Sequence, residues 1–204
     1  MRVQKEREPP GRVRYLSDDE RERLLSACRR SPLRELQLIV LLALSTGMRR
    51  GEILGLRWSD VDLERGIAVL NKTKNRDRRA AQIIPSVKTL LDAHHDAKRP
   101  ETDLVFAQPI EAKPVAIDHW FRLALKEARI DDFRFHDLRH TAASYLAMSG
   151  ATTPEIAAVL GHRTLQMVKR YAHLSDAHTN AVVRRMNAKF FGGGLKDSDL
   201  GSAD

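Results

Sequence analysis

Apolar positions fall at helical spacing along most of the chain, and local stop and start signals cut that pattern into short helices. In "SDDERERLLSACRR", Ser17 followed three residues later by Glu20 forms a capping box, which predicts a helix starting there. Ser31 and Pro32 predict the start of a second helix, the apolar run "LQLIVLLALSTG", which Gly47 ends. "RRGEILGLRW" predicts another short helix. The period then changes. "GIAVLNKTKNRDRRAAQIIP" carries two β-prone runs, Ile67–Leu70 and Gln82–Ile84, around a basic connection, and predicts a hairpin whose second strand is blurred by "RRAAQ". Ser86 predicts the cap of a helix reaching about residue 98, and "DLVFA" predicts a short third strand. Further helices are predicted near 115–129, 136–149, 153–160, 164–172 and 175–190. The sum is an α+β chain, mainly α, with one small three-stranded antiparallel sheet.

The two ends read differently. Residues 1–14, charged and containing Pro9-Pro10-Gly11, are expected to be a disordered lead-in or linker stub. Residues 191–204, "FGGGLKDSDLGSAD", are expected to be a flexible tail, leaving 15–190 as one domain. No internal repeat is visible.

Composition narrows the class. Apolar residues make up 42% of 204, ordinary for a globular chain, and no run reaches the roughly 18 residues of a membrane span. The N-terminus lacks the apolar core of a secretory signal, and the single cysteine, Cys28, rules out an internal disulfide framework; both point to the cytoplasm. Lys and Arg exceed Asp and Glu by 35 to 27, a net charge of +8, which favours a polyanionic partner, nucleic acid first.

Several clusters carry candidate chemistry. In "FRFHDLRHTAASYL", Phe135, Leu138, Ala142, Tyr145 and Leu146 form a core-facing stripe, with His136 and Arg139 together on its flank. His136 and His140 are four apart, but no His-Glu-x-x-His arrangement or third ligand accompanies them, so no metal is implied. "LSTGMRRGEILGLRW" puts arginines directly after an apolar helix, where a guanidinium offers paired donors to phosphate oxygens. The connection "NKTKNRDRR" reads as a basic finger laid along a nucleic-acid backbone, with one lysine available as a proton donor. Two arginines, two histidines, a lysine and a tyrosine form an inventory suited to phosphoryl transfer without metal ions. A phenol is a sluggish nucleophile unless positive charge and donors surround it, and the expectation is that they do here.

Taken in order, "TGMRRGEILGLRW", "HDLRH", "LGH" and the tyrosine of "RYAHL" resemble the tyrosine recombinase, or phage integrase, family over about residues 14–190. The resemblance implies the family's catalytic fold and a site-specific recombinase that cuts and rejoins DNA through a 3′-phosphotyrosyl link, releasing a 5′-hydroxyl. It assigns Arg49 and Arg139 to a clamp on the scissile phosphate. His136 and His162 are its phosphate-contacting or proton-handling histidines, and Tyr171 is its nucleophile. The family's lysine falls at Lys74, with Lys72 as the other candidate. Arg50, Lys72, Arg76, Arg78, Arg79, Lys169 and Arg170 are expected to contact DNA. His140 is expected to support its helix. No cofactor is implied. Double-stranded DNA is the implied partner, with self-association as a tetramer on DNA through a last helix bearing Ala177, Ala181, Val182 and Met186, and a nucleoid location. Because few residues precede Ser17, the chain is expected to be an isolated catalytic domain with weak, steeply salt-dependent DNA affinity.

Two other readings stay open. "TTPEIAAVLGHRTLQMVKRYAHL", with Thr152 and Glu155 as a capping box and Ile156, Val159, Leu160, Leu165 and Val168 as its packing face, also reads as the helix-turn-helix of a non-catalytic regulator. A type IB topoisomerase or a resolvase would use the same chemistry as a recombinase.

Overall fold

The computed structural model describes residues 14–71, 78–97, 101–108, 112–162 and 164–191. Lys72, Lys74 and Arg76 therefore lie outside the described residues, as do 1–13 and 192–204. Arg14, expected in the lead-in, is held: its guanidinium bonds Glu20 at 2.9 Å and stands 5.3 Å from the Phe133 ring centre.

Helix α1 (Asp18–Arg29) starts at the expected capping box, with the Ser17 hydroxyl accepting from the Glu20 N–H and the Glu20 carboxylate accepting from the Ser17 N–H. Helix α2 begins at Leu36, not at Ser31, and runs to Thr46. The Ser31 hydroxyl accepts from the Leu33 N–H and makes a local turn instead of a cap. Nearly every side chain of α2 is apolar, and Leu36, Ile39, Val40, Leu42 and Ala43 are fully buried. Gly47 then reverses the chain in the left-handed conformation, φ 62°. Helix α3 (Arg50–Leu54) follows at once.

The sheet differs from expectation in both strand limits and membership. β1 (Val61–Asp62), β2 (Ile67–Asn71) and β3 (Arg78–Gln82) lie antiparallel in the order β1-β2-β3. β3 is the "RRAAQ" stretch itself. It ends at Gln82, two residues before Ile84 turns into a proline-led helix. Buried Ala68 pairs with buried Ala81, so small side chains form the inward layer of the sheet. "DLVFA" supplies no strand: Leu104 and Ala107 make single bridges to Arg57 and Pro114. Helix α4 (Pro85–Asp96) is entered from Ile84 with Pro85 at its first position, so Ser86 lies inside the first turn and is not the cap.

Helix α5 (Asp118–Glu127) starts three residues later than expected, after Val115 and Ile117, which are buried in the core ahead of it. Helix α6 (Asp137–Met148) crosses the molecule and joins two cores. Leu138 belongs to the large core with α1, α2, α4 and α5; Ala143 and Ala147 belong to a smaller one with Ile156, Ala157, Leu160, Val168 and Tyr171. Helix α7 (Thr153–Leu160) has the expected Thr152–Glu155 capping box and ends on Gly161, φ 63°.

Residues 164–172 do not make an α-helix. Two 3-10 helices, Leu165–Met167 and Lys169–Ser175, lead into α8 (Asp176–Phe191). Of the packing face expected for a helix-turn-helix, Ile156, Leu160 and Val168 are buried, whereas Val159 and Leu165 are exposed. Val168, Tyr171 and Leu174 recur at a spacing of three, the period of a 3-10 helix, and pack on the smaller core. On α8, Val182, Val183 and Met186 are exposed. Among the described residues, no helix is long and apolar enough to cross a membrane.

Candidate active site

An α-helix leaves its last carbonyls without partners inside the helix. At the end of α7, three successive ones are taken by arginines from three elements. Arg79 of β3 donates to the Val159 carbonyl at 2.6 Å, Arg139 of α6 to Leu160 at 2.6 Å, and Arg49, before α3, to Gly161 at 3.3 Å. Arg139 also donates to the Gly47 carbonyl at 2.6 Å, so one guanidinium joins the C-termini of α2 and α7. The negative ends of both helices favour a cation there. Two glycine stops that are far apart in sequence thus converge on one side chain.

Arg139 is 4% exposed. Burial first, then the charges of Arg49 and Arg79, pull its proton affinity down to about 10, which still leaves it cationic at neutral pH. Glu52 balances the cluster. Its carboxylate lies 2.9 Å from Arg49 and 2.7 Å from Arg79 and accepts the Arg49 backbone N–H at 2.8 Å. Burial alone would raise the Glu52 carboxyl; the Arg49 N–H and the two guanidinium charges outweigh it and hold it below its ordinary range.

Arg79 corrects a sequence expectation. As part of a basic loop it was expected on DNA, yet its side chain is 15% exposed and tied to Glu52 and Val159. Strand periodicity explains this: Arg79 lies two residues before inward-facing Ala81 and so shares its face. Its stem also lies where a side chain at Gly161 would be, 2.7 Å from an ideal Cβ. Arg50 points away from the cluster and pairs with Asp118 at 2.6 Å on the surface. Lys169 and Arg170 are exposed on the second 3-10 helix.

Tyr171 is buried, 2% exposed, and its hydroxyl is hydrogen-bonded to His140 Nδ1. The role expected for His140, support of its helix, is thus incomplete. Its ring also meets His136 edge-on, with centres 5.0 Å apart. The cations expected around the phenol do act to lower it, but burial outweighs them. Burial raises the Tyr171 proton affinity, and the charges of Arg170 and Arg139 only partly offset it. The histidines move the other way. Loss of hydration, then the Arg139 charge, lowers His136 even though it sits at the surface. Burial, then His136, lowers His140. His162, next to the arginine-held turn, is pulled to about 4 by burial and then by Arg139 and Arg49, and its Nδ1 is buried without a partner among the described residues. At neutral pH the site therefore holds cationic arginines, neutral histidines and a protonated phenol.

The structure thus brings together Arg49, Arg139, His136, His162 and Tyr171, and adds Glu52, Arg79 and His140. Glu52 had a signal in sequence, three residues after Arg49 at the start of a short helix. The His140–Tyr171 contact had none, because it depends on how the 3-10 helix packs on α6. Among the described residues, no group of three or more His, Cys, Asp or Glu side chains stands where it could hold a metal ion.

The chain is similar to known recombinases and integrases. The shufflon-specific DNA recombinase of Escherichia coli is 36% identical over 180 residues, covering 84% of this chain and 43% of that protein. The integrase of Salmonella phage P22 is 31% identical over 191 residues, covering 88% and 48%. The chain thus spans about half the length of these curated relatives. The solved catalytic domain of bacteriophage HP1 integrase superposes with a TM-score of 0.68 at 26% identity, over 88% of this chain and 98% of that one. Residues 14–178 match the model of the phage integrase family, so the chain belongs to that family of tyrosine recombinases.

Proposed function

We propose that this chain is the catalytic domain of a site-specific recombinase, which cleaves double-stranded DNA with Tyr171 and rejoins it. Arg49 and Arg139 neutralise the non-bridging oxygens of the scissile phosphate. The Tyr171 oxygen displaces the 5′-oxygen and forms a 3′-phosphotyrosyl link; a 5′-hydroxyl from the same or a partner strand then reverses the step. One phosphodiester replaces another of similar energy, so neither ATP nor a metal ion is needed. Lys74 is assigned to protonate the leaving oxygen, and His136 and His162 line the phosphate. Lys72, Arg76, Arg78, Lys169, Arg170 and Arg50 hold the DNA backbone. Four copies assemble on DNA through α8, whose Val182, Val183 and Met186 stand exposed, and the protein resides on the nucleoid.

One observation carries this reading: Arg49 and Arg139 are held on the adjacent Gly161 and Leu160 carbonyls, at the edge of the small core in which the Tyr171 phenol is buried. A regulator that reads DNA with a helix needs no buried cation, and the 3-10 geometry of 165–175 is not that of a recognition helix.

The test uses a duplex nicked beside the cleavage point, so that the released fragment diffuses away. A denaturation-resistant protein–DNA adduct that disappears in Tyr171→Phe is the expected result; no adduct with the unaltered chain defeats it. Recombinant products from paired sites, as opposed to relaxed supercoils, separate a recombinase from a type IB topoisomerase.

A further inference from the structure

We propose that His140 removes the phenolic proton of Tyr171 as its oxygen attacks the scissile phosphorus, an inference that rests on the cleavage reading above. Among the described residues, the hydroxyl's hydrogen-bond partner is His140 Nδ1. The phenol is buried in the free chain, and the imidazole that holds its hydroxyl is the basic group at hand to take its proton. The expected proton-handling residues are placed differently: the His136 and His140 rings meet edge to face, and among the described residues His162 Nδ1 is buried without a partner.

The step balances. The Tyr171 oxygen–phosphorus bond forms, its proton passes to His140 Nδ1, and the phosphorus–5′-oxygen bond breaks. The leaving oxygen takes a different proton, from a lysine ammonium of the hairpin, because attacking and leaving oxygens stand on opposite sides of phosphorus in an in-line displacement. In rejoining, the His140 imidazolium returns its proton to the departing tyrosine oxygen.

The surroundings suit a base that is neutral before the step. His136 at the cap of α6, Asp137 and Arg139 on that helix, Arg170 on the second 3-10 helix and His162 beyond α7 act on or with His140, while α2 brings no titratable side chain. Burial and most of these charges hold the imidazole below its ordinary value, with Asp137 opposing. Burial raises the Tyr171 phenol, so a phenolate is disfavoured unless a base takes the proton.

The experiment compares single-turnover cleavage of the nicked duplex by the unaltered chain, His140→Asn and Tyr171→Phe. Asn keeps a hydrogen-bonding atom near the Nδ1 position and cannot take up a proton. Expected is a loss of roughly 10²- to 10⁴-fold in adduct formation near neutral pH, with DNA binding and melting temperature unchanged. The unaltered chain should reach a plateau rate as His140 titrates, whereas His140→Asn should keep rising with hydroxide. A rate and pH profile equal to the unaltered chain's, or a faster rate, as release of a mere latch would give, overturns the proposal. Should His140→Asn misfold, ¹⁵N NMR of the unaltered protein decides: a proton on Nε2 with Nδ1 bare is required, and a proton on Nδ1 overturns it. An unaltered chain that forms no adduct defeats the cleavage reading itself; a cleaving chain indifferent to His140 defeats only this inference.

Discussion

Arg139 reaches the Leu160 carbonyl at 2.6 Å, and that bond ties the first turn of α6 to the turn that delivers His162. The same guanidinium holds Gly47, just before Arg49. The proposed phosphate clamp and the ties between the ends of α2 and α7 therefore share one side chain.

Replacement of Arg139 should cost fold and chemistry together. Arg139→Ala strands two buried carbonyls at about 1–3 kcal/mol each, so a loss of roughly 2–6 kcal/mol is expected in urea denaturation. Arg139→Lys should fail to bridge both acceptors and recover little, since an ammonium lacks the planar fork.

Gly47→Ala and Gly161→Ala should differ in kind. Both glycines have left-handed φ, costing about 1–2 kcal/mol for alanine. At Gly47 the new Cβ lies 2.4 Å from Leu160 Cδ2 in the core, adding about 1–3 kcal/mol of overpacking. At Gly161 it meets the Arg79 stem, which can shift, but only by disturbing the bond to Glu52. Thermal melts should rank Gly47→Ala as the less stable, while adduct assays should show Gly161→Ala impaired beyond its stability loss.

Much of this was legible in the chain because it is local. The capping boxes at Ser17 and Thr152, the apolar α2 and the stops at Gly47 and Gly161 depend on near neighbours, and the structure has all of them. β3 was misplaced because "RRAAQ" has little strand propensity of its own; pairing of Ala81 with Ala68 makes it a strand. The same mistake put Arg79 in a loop. The helix expected over 164–172 follows a generic apolar pattern, whereas buried Val168 and Tyr171 and half-buried Leu174 keep a period of three. At the site, the order of motifs identified Arg49, Arg139, His162 and Tyr171 as a group. The His140 contact and the raised phenol arise only from packing.

Stability should fall in mild acid. His162 is pulled from 6.5 to about 4 in the folded chain, so between those values the unfolded chain binds a proton that the folded one refuses. Unfolding free energy then rises with pH up to about 6.5 and levels off above it. His136 and His140, also lowered, add in the same direction. His162→Asn should flatten part of the slope in melting temperature against pH; an unchanged slope would show that His162 titrates normally.

DNA affinity should be weak and depend steeply on salt, because the expected contacts are phosphate contacts. In gel shifts, log K should fall linearly with log salt, and Lys169→Ala with Arg170→Ala should reduce the slope by about 1–2. Tight, salt-insensitive binding would contradict this.

The most direct measurement locates the covalent bond. The adduct trapped on the nicked duplex is digested with nuclease and trypsin, which cuts after Arg170, and the peptides are weighed and sequenced by mass spectrometry. The expected result is a nucleotide 3′-phosphate on the hydroxyl of Tyr171, the first residue of its peptide. A nucleotide carried on any other side chain, or an adduct that persists in Tyr171→Phe, would contradict it.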